Sequence, residues 1–367
     1  MDFIANDSDD RLWADLEQLT LESGTAALSI PTEFHQWIDL PLEILPLIIH
    51  HMEFDSLMKL RGSNSVMKTL VEDEIYEFDY VKCTHWATHQ GELHFHAHSE
   101  RHGKELDSTL ENELFDHDYG FVPYSHVLQF IQQVLRFGRT QVLDVCYVPR
   151  HSDYREVDEE MGVFLEQIAS SAPFRFTHFI LDGPCPQVAQ FFLANCSEHV
   201  ESIQFYHDSL HHGGVPLDIR NLMTEPKFMN AESVKLMSLN NESYSQACVL
   251  MIQKWIEDDA KIGKKLLVSK CLTTGLQGQN ILFQRFEEAF QDQITNQREN
   301  YETESGELWI QMSNTEKKIL VKKVEAAAFC VIVPASLQKT DIPVKLRKEL
   351  EWLQHPILDE SEIFCRR

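Results

Sequence analysis

Hydrophobic spacing divides this chain into stretches of different rhythm. From Leu40 to Glu72, apolar side chains recur at steps of three and four: Leu42, Leu45, Ile49 and Met52 fall on one helical face, which Ile44 and Ile48 widen. Pro41 stands where a first helical turn tolerates a missing N–H, and Asp39 is a candidate cap. A short second helix carries Leu57, Leu60 and Arg61 after a cap at Asp55 or Ser56. A third apolar set, Val66, Met67, Leu70 and Val71, follows Gly62-Ser63-Asn64. Three helices in about thirty-five residues bury little apolar surface by themselves, so part of this face calls for a partner.

From Val122 to Glu288 helical and strand patterns alternate. Helical spacing over Val127–Leu135, Met161–Ile168, Val188–Leu193, Leu217–Met223 and Gln246–Ile256 precedes strand-like runs over Gln141–Val148, Phe176–Leu181, Val200–Phe205, Ser233–Leu239 and Lys265–Val268, respectively. The recurrence predicts an irregular α/β solenoid, in which each unit covers its apolar face only by stacking on its neighbours. A compact doubly wound sheet uses the same alternation. Nucleotide-binding sheets of that kind carry a glycine-rich turn after the first strand, whereas here Pro149-Arg150-His151-Ser152 follows Val148. The solenoid is therefore the preferred expectation.

Past Gly278 a helix through Leu282, Phe283, Phe286 and Phe290 leads to a polar segment, Gln291–Asn300. Strand-like runs at Glu307–Met312, Lys317–Lys323 and Ala328–Val333 predict a β-rich cap, with Ser313-Asn314-Thr315 as a hairpin turn and a last helix over Val344–Leu353. The implied divisions are an acidic leader at 1–36, the helical module at 37–78, a histidine-rich connection at 79–120, the α/β body at 121–295 and the cap at 296–367. The leader holds eight acidic residues and one basic, Arg11, around a short amphipathic stretch, Leu12 to Leu21.

Histidines crowd between Tyr76 and Asp118. His94-x-His96-x-His98 would share one face of a strand, and His85 and His89 one face of a helix, which is the spacing of metal ligands. The same alternation fits a half-exposed strand with Leu93, Phe95 and Ala97 inward, and this plainer reading is preferred, with no metal and no cofactor. Glu100–Asp118 reads as a polar loop.

Charge narrows the partners. With 32 basic and 58 acidic residues the formal charge is −26, which opposes approach to nucleic-acid phosphates and anionic lipid surfaces. The basic runs Lys261–Lys270 and Lys345–Arg347 are short. Eight scattered cysteines form no C-x-x-C pair, and several lie in apolar runs, as expected of free thiols in a reducing compartment. The amino terminus lacks the pattern of a secretory signal, and no apolar run is long enough to span a membrane, so the expectation is a cytoplasmic or nuclear protein. No G-x-S-x-G, H-E-x-x-H or P-loop is present. His211-His212-Gly213-Gly214 lacks a matching serine elbow, and the acidic pairs Glu159-Glu160 and Asp258-Asp259 point apart on a helix. The reading is of a non-enzyme.

The order Leu40-Pro41-x-Glu43-Ile44-Leu45, then Ile48 and Ile49, Phe54, Leu57, Leu60-Arg61 and Leu70-Val71, resembles the F-box. Ser63 and Asn64 stand where that family commonly has Val-Ser, and Lys68 where it often has Arg. The resemblance implies a helical module docking on the adaptor subunit of an SCF-type cullin-RING ubiquitin ligase, and through it on the cullin. Leu40, Pro41, Glu43, Ile44, Leu45, Ile48, Ile49, Phe54, Leu57 and Leu60 would be the adaptor-binding residues. The rest of the chain, including Val249–Ile256 followed by Ile262-Gly263, resembles the leucine-rich-repeat-like regions of large nematode F-box families, which implies a body that holds a client protein. The rival readings are a repeat-type interaction scaffold with no ligase link and, further off, a metal enzyme built on the histidines.

Overall fold

A computed structural model describes residues 45–50, 52, 54–63, 65–73, 76–86, 92–99, 104–105, 124–148, 159–183, 185–207, 220–238, 242–270, 277–300, 305–324 and 327–337. The chain is mixed α/β and divides into two compact units, Met1–Glu74 and Ile75–Arg367.

In the first unit, α1 (Leu45–His50), α2 (Phe54–Arg61) and α3 (Ser65–Asp73) follow the three apolar sets read from the sequence. The start expected near Pro41 lies outside the described residues. Gly62 closes α2, its N–H reaching the carbonyls of Lys59 at 3.1 Å and Met58 at 3.3 Å, and the Ser63 hydroxyl donates to Leu60 O at 2.7 Å. These bonds satisfy carbonyls that the helix end leaves open. Arg61 then clamps α2 to α3, its Nε and Nη2 both donating to Glu72 Oε1 at 3.0 and 2.7 Å.

Among the described residues, the second unit is organised on one twelve-stranded sheet. Six strands run parallel in chain order: β1 (Tyr76–Trp86), β4 (Gly138–Val148), β5 (Phe176–Asp182), β6 (Ser202–His207), β7 (Ser233–Ser238) and β8 (Lys265–Lys270). The connecting helices are α4 (Tyr124–Phe137), α5 (Glu159–Ala169), α6 (Pro186–Ala194), α7 (Pro226–Asn230) and α8 (Glu242–Glu257). On one edge β2 (Glu92–Ser99) and β3 (Lys104–Glu105) add antiparallel to β1. On the other, β8 pairs antiparallel with β12 (Ala327–Pro334), followed outward by β11 (Lys317–Val324), β10 (Ser305–Gln311) and β9 (Ile294–Asn300).

Because each parallel strand sits beside its predecessor, right-handed crossovers bring successive helices to the same face of the sheet. Burial agrees with this. Phe179, Leu181, Ile203, Phe205, Val234 and Leu236 are closed off, while the alternate positions His178, Ile180, Asp182, Ser202, Gln204 and Tyr206 stay half-open. The closed side is aromatic: Phe192 of α6 lies 5.3 Å from Phe174 and 5.8 Å from Phe179, ring centre to ring centre. At the cap, α9 (Gln277–Phe290) packs on α8 and β12.

Four expectations change. His85 lies in β1 and not in a helix, paired with Leu93 of β2, and β1 and β2 place much of the supposed connection at 79–120 inside the sheet. The Glu100–Asp118 loop includes the two-residue strand β3. The helix expected over Leu217–Met223 becomes a 3-10 turn, Arg220–Thr224, and α7: Pro226 lacks an N–H and takes the first helical turn, with Glu225 capping through a bond from Lys227 N at 3.3 Å. The polar Gln291–Asn300 segment contains β9, whose exposed residues show no apolar alternation because it is the outer strand of the sheet. The helix expected over Val344–Leu353 and the leader lie outside the described residues.

Candidate functional site

Two regions carry candidate binding chemistry. In the helical unit, Leu45, Ile49, Phe54, Leu57 and Leu60 are buried, and Ile48 is half-exposed. Buried side chains of this kind hold the helices together and are not offered to a partner in this state. Leu40, Pro41, Glu43 and Ile44 lie outside the described residues. Val66 on α3 is 55% exposed, the most open large apolar side chain among those described.

The second region lies on the half-open face of the sheet, where β1, β4, β5 and β6 meet. Parallel register aligns Lys82, Asp144, Ile180 and Gln204 in one row and Thr84, Cys146, Asp182 and Tyr206 in the next. Period-two alternation puts both rows on one face, so Asp144 and Asp182 are diagonal neighbours. The Tyr80 hydroxyl donates to Asp144 Oδ2, toward which Lys82 Nζ stands at 3.9 Å. The Cys146 thiol donates to Asp182 Oδ2 at 3.7 Å. Asp144 is only 8% exposed, and its Oδ1 is buried with no hydrogen-bond partner.

The electrostatics follow from this burial. Desolvation raises the Asp144 carboxyl above the usual carboxylate range, against the pull of the Tyr80 hydrogen bond and the Lys82 charge. Burial and the Asp144 charge push the Tyr80 phenol up, and burial with both carboxylates pushes Tyr206 up to about 12. Both phenols therefore remain protonated donors at neutral pH. The Cys83 and Cys146 thiols are also pushed up by burial and by Asp144 and Asp182, respectively, so neither is a ready thiolate nucleophile.

The other sequence candidates distribute as follows. Backbone pairing sets His94, His96 and His98 of β2 opposite Thr84, Lys82 and Tyr80, and the inward Phe95 and Ala97 are buried as the strand reading requires. No group of three metal-ligating side chains comes together among the described residues. His89 and the His211-Gly214 segment lie outside them. Cys83, Cys146, Cys185, Cys196, Cys248 and Cys330 are buried thiols, none of them in a disulfide. Of the acidic pairs, Glu159 is exposed, whereas Asp259, at φ 49°, anchors the cap: Lys317 Nζ meets its Oδ1 at 2.9 Å and Asn314 Nδ2 its Oδ2 at 3.3 Å. Among the described residues no helix is long and apolar enough to cross a membrane.

The Asp144–Asp182 cluster was not singled out in the sequence. Its members stand on four strands separated by helices, and only the pairing register assembles them. An aspartate inside an apolar strand run, Val142-Leu143-Asp144-Val145, was the available signal. Comparison with known proteins finds no matching family model, no matching curated protein and no matching solved structure.

Proposed function

We propose that the chain is the substrate-recognition subunit of an SCF-type cullin-RING ubiquitin ligase. The helical unit docks the adaptor, and through it the cullin, while the α/β body, an irregular leucine-rich-repeat-like solenoid with a β-rich cap, holds a client protein on the open face of its sheet. Docking rests on the 40–44 segment together with Ile48, in a helix-in-groove contact. The subunit itself performs no chemistry. It brings a client lysine near a ubiquitin-charged partner, and proximity supplies the rate.

The observation that carries this reading is the sequence Leu40-Pro41-x-Glu43-Ile44-Leu45 leading into a separate three-helix unit, ahead of a sheet with one half-open face. The test is co-purification of the full chain with the adaptor. Wild-type chain retains the adaptor and the Leu40→Ala, Pro41→Ala double variant loses it. Equal retention by the two, or none by either, overturns the proposal. Burial of Leu45, Ile49, Phe54, Leu57 and Leu60 favours a second reading, an interaction scaffold with no ligase link, and a wild-type chain that binds no adaptor selects it.

A further inference from the structure

We infer that residues 344–353 form a helix that docks in cis on the antiparallel half of the sheet, on the face opposite the connecting helices. The occupant is a segment of this same chain, so the inference stands apart from the adaptor and client assignments above.

The pairing register identifies the surface. One row across the sheet runs Lys235, Leu267, Phe329 and Lys322, and the next Lys265, Val331, Leu320 and Trp309. Period-two alternation turns both rows away from the side of Leu266, Cys330, Val321 and Leu308. That second side belongs to the helices: Phe283 of α9 stands so close to Gly306, two residues before Leu308, that a Cβ there would lie 2.9 Å from its ring. Yet Leu267, Trp309, Leu320, Phe329, Val331 and Val333 form a buried cluster on the other side, with Leu320 at 0% and Val331 at 2% exposure. Further along the same face, Ile180 is half-open. A lone sheet layer leaves large apolar side chains in water, and a second layer removes them from it.

Leu337 points to the source of that layer. Past β12 the chain turns, with Ala335 N donating to Glu316 O at 2.7 Å and Leu337 N to Pro334 O at 3.0 Å, and Leu337 packs on the cluster. The sequence that follows carries a matching stripe. Ile342, Leu346, Leu350 and Leu353 recur at steps of four, four and three, and Pro343 is placed for a first helical turn. A helix over Val344–Leu353 is about 15 Å long, and the cluster crosses β8, β12, β11 and β10, whose three spacings make about 14 Å. The preceding residues, 338–343, can reach about 20 Å, enough to carry the helix from Leu337 to any of these strands. Glu349 borders the stripe, and Lys235, Lys265, Lys318 and Lys322 share the face with the cluster, so the charges at the margin are complementary. A partner approaching this face is then left its parallel half.

The test uses the full chain with the photoreactive residue p-benzoylphenylalanine in place of Leu350, mixed equally from unlabelled and nitrogen-15-labelled copies. Irradiation and peptide mass spectrometry are expected to join position 350 to β8, β10, β11 or β12 of the same copy. The same probe at Glu351, on the far side of the helix from the stripe, is expected to give at least about tenfold less of these products. Joined pairs of one labelled and one unlabelled peptide assign the surface to a second copy and overturn the inference. Products confined to other elements, or equal yields from the two positions, overturn it too. Hydrogen exchange of the unsubstituted chain needs no variant: amides over 348–353 are expected to exchange at least about tenfold more slowly than an unstructured chain, and unprotected exchange there also overturns it.

Discussion

Two glycine-to-alanine substitutions of opposite sign probe the junction that sets the β1–β4 register. Helix α4 ends at Phe137 and β4 begins at Gly138, with no linking residue. A Cβ on Gly138 would stand 2.5 Å from Val134 O and 2.7 Å from the Phe78 ring. Val134 O belongs to the helix backbone and Phe78 is fully buried, so neither can withdraw cheaply. Overpacking of this kind costs about 1–3 kcal/mol or somewhat more. The reduced freedom of the unfolded alanine chain returns about 0.4–1 kcal/mol, leaving Gly138→Ala about 1–2 kcal/mol less stable. A Cβ on Gly162, within α5, meets nothing within 4 Å. Gly162→Ala therefore gains about 0.5–1 kcal/mol from helix propensity. Urea unfolding of the full chain, followed by circular dichroism, should place the Gly138→Ala midpoint below wild type and the Gly162→Ala midpoint above it. A Gly138→Ala midpoint at or above wild type would show that the junction has room for a methyl group. Gly138 pairs with Tyr76, so the same clash displaces the strand that carries Asp144 past Lys82.

Other outcomes follow from the same packing and charges. Because burial raises the Asp144 carboxyl, the native chain keeps a proton that the unfolded chain releases near pH ~4, so this group's contribution to stability falls as pH rises from there toward the folded value. Asp144→Asn should flatten that decline in urea midpoints measured from pH 4 upward, and an unaltered slope would contradict the assignment. Phe192→Ala, at the centre of the α6 aromatic cluster, should cost about 3–5 kcal/mol, with Phe192→Leu milder, as read from the same unfolding curves; a loss equal for both would deny the cavity argument. Arg61→Ala removes a partly exposed ion pair and should cost only about 0.2–1 kcal/mol, checked by the melting of α1–α3 in residue-resolved hydrogen exchange. Complete loss of protection there would show that the pair does more than pin two helices.

How much the sequence disclosed depended on whether the information was local. Phe176–Leu181 and Lys265–Val268 could be read as strands because each is a short apolar run bounded by polar residues, and β5 and β8 contain both. The Ser313-Asn314-Thr315 turn was legible too, since Asn314 Oδ1 accepts from Glu316 N at 3.0 Å, and the Asn314 carbonyl accepts from Lys317 N at 3.1 Å, so the turn is closed by local bonds. Edge and polar strands were not. Ile294–Asn300 takes its structure from β10 and advertises no period of its own, whereas the alternation Tyr76-Glu77-Phe78-Asp79-Tyr80, with Tyr76 and Phe78 buried, was there to be read. The candidate site was hidden for the same reason. Asp144 meets Tyr80 across 64 positions of sequence and Cys146 meets Asp182 across 36, distances that only a completed sheet brings together.

If the chain works as proposed, adaptor and client meet two different surfaces of it. Hydrogen exchange of the full chain, free and mixed with purified adaptor, tests it most directly. New protection is expected only at residues 40–66, with β1, β4, β5 and β6 exchanging as before. Protection appearing on those four strands instead, or no change anywhere in the chain, would contradict it.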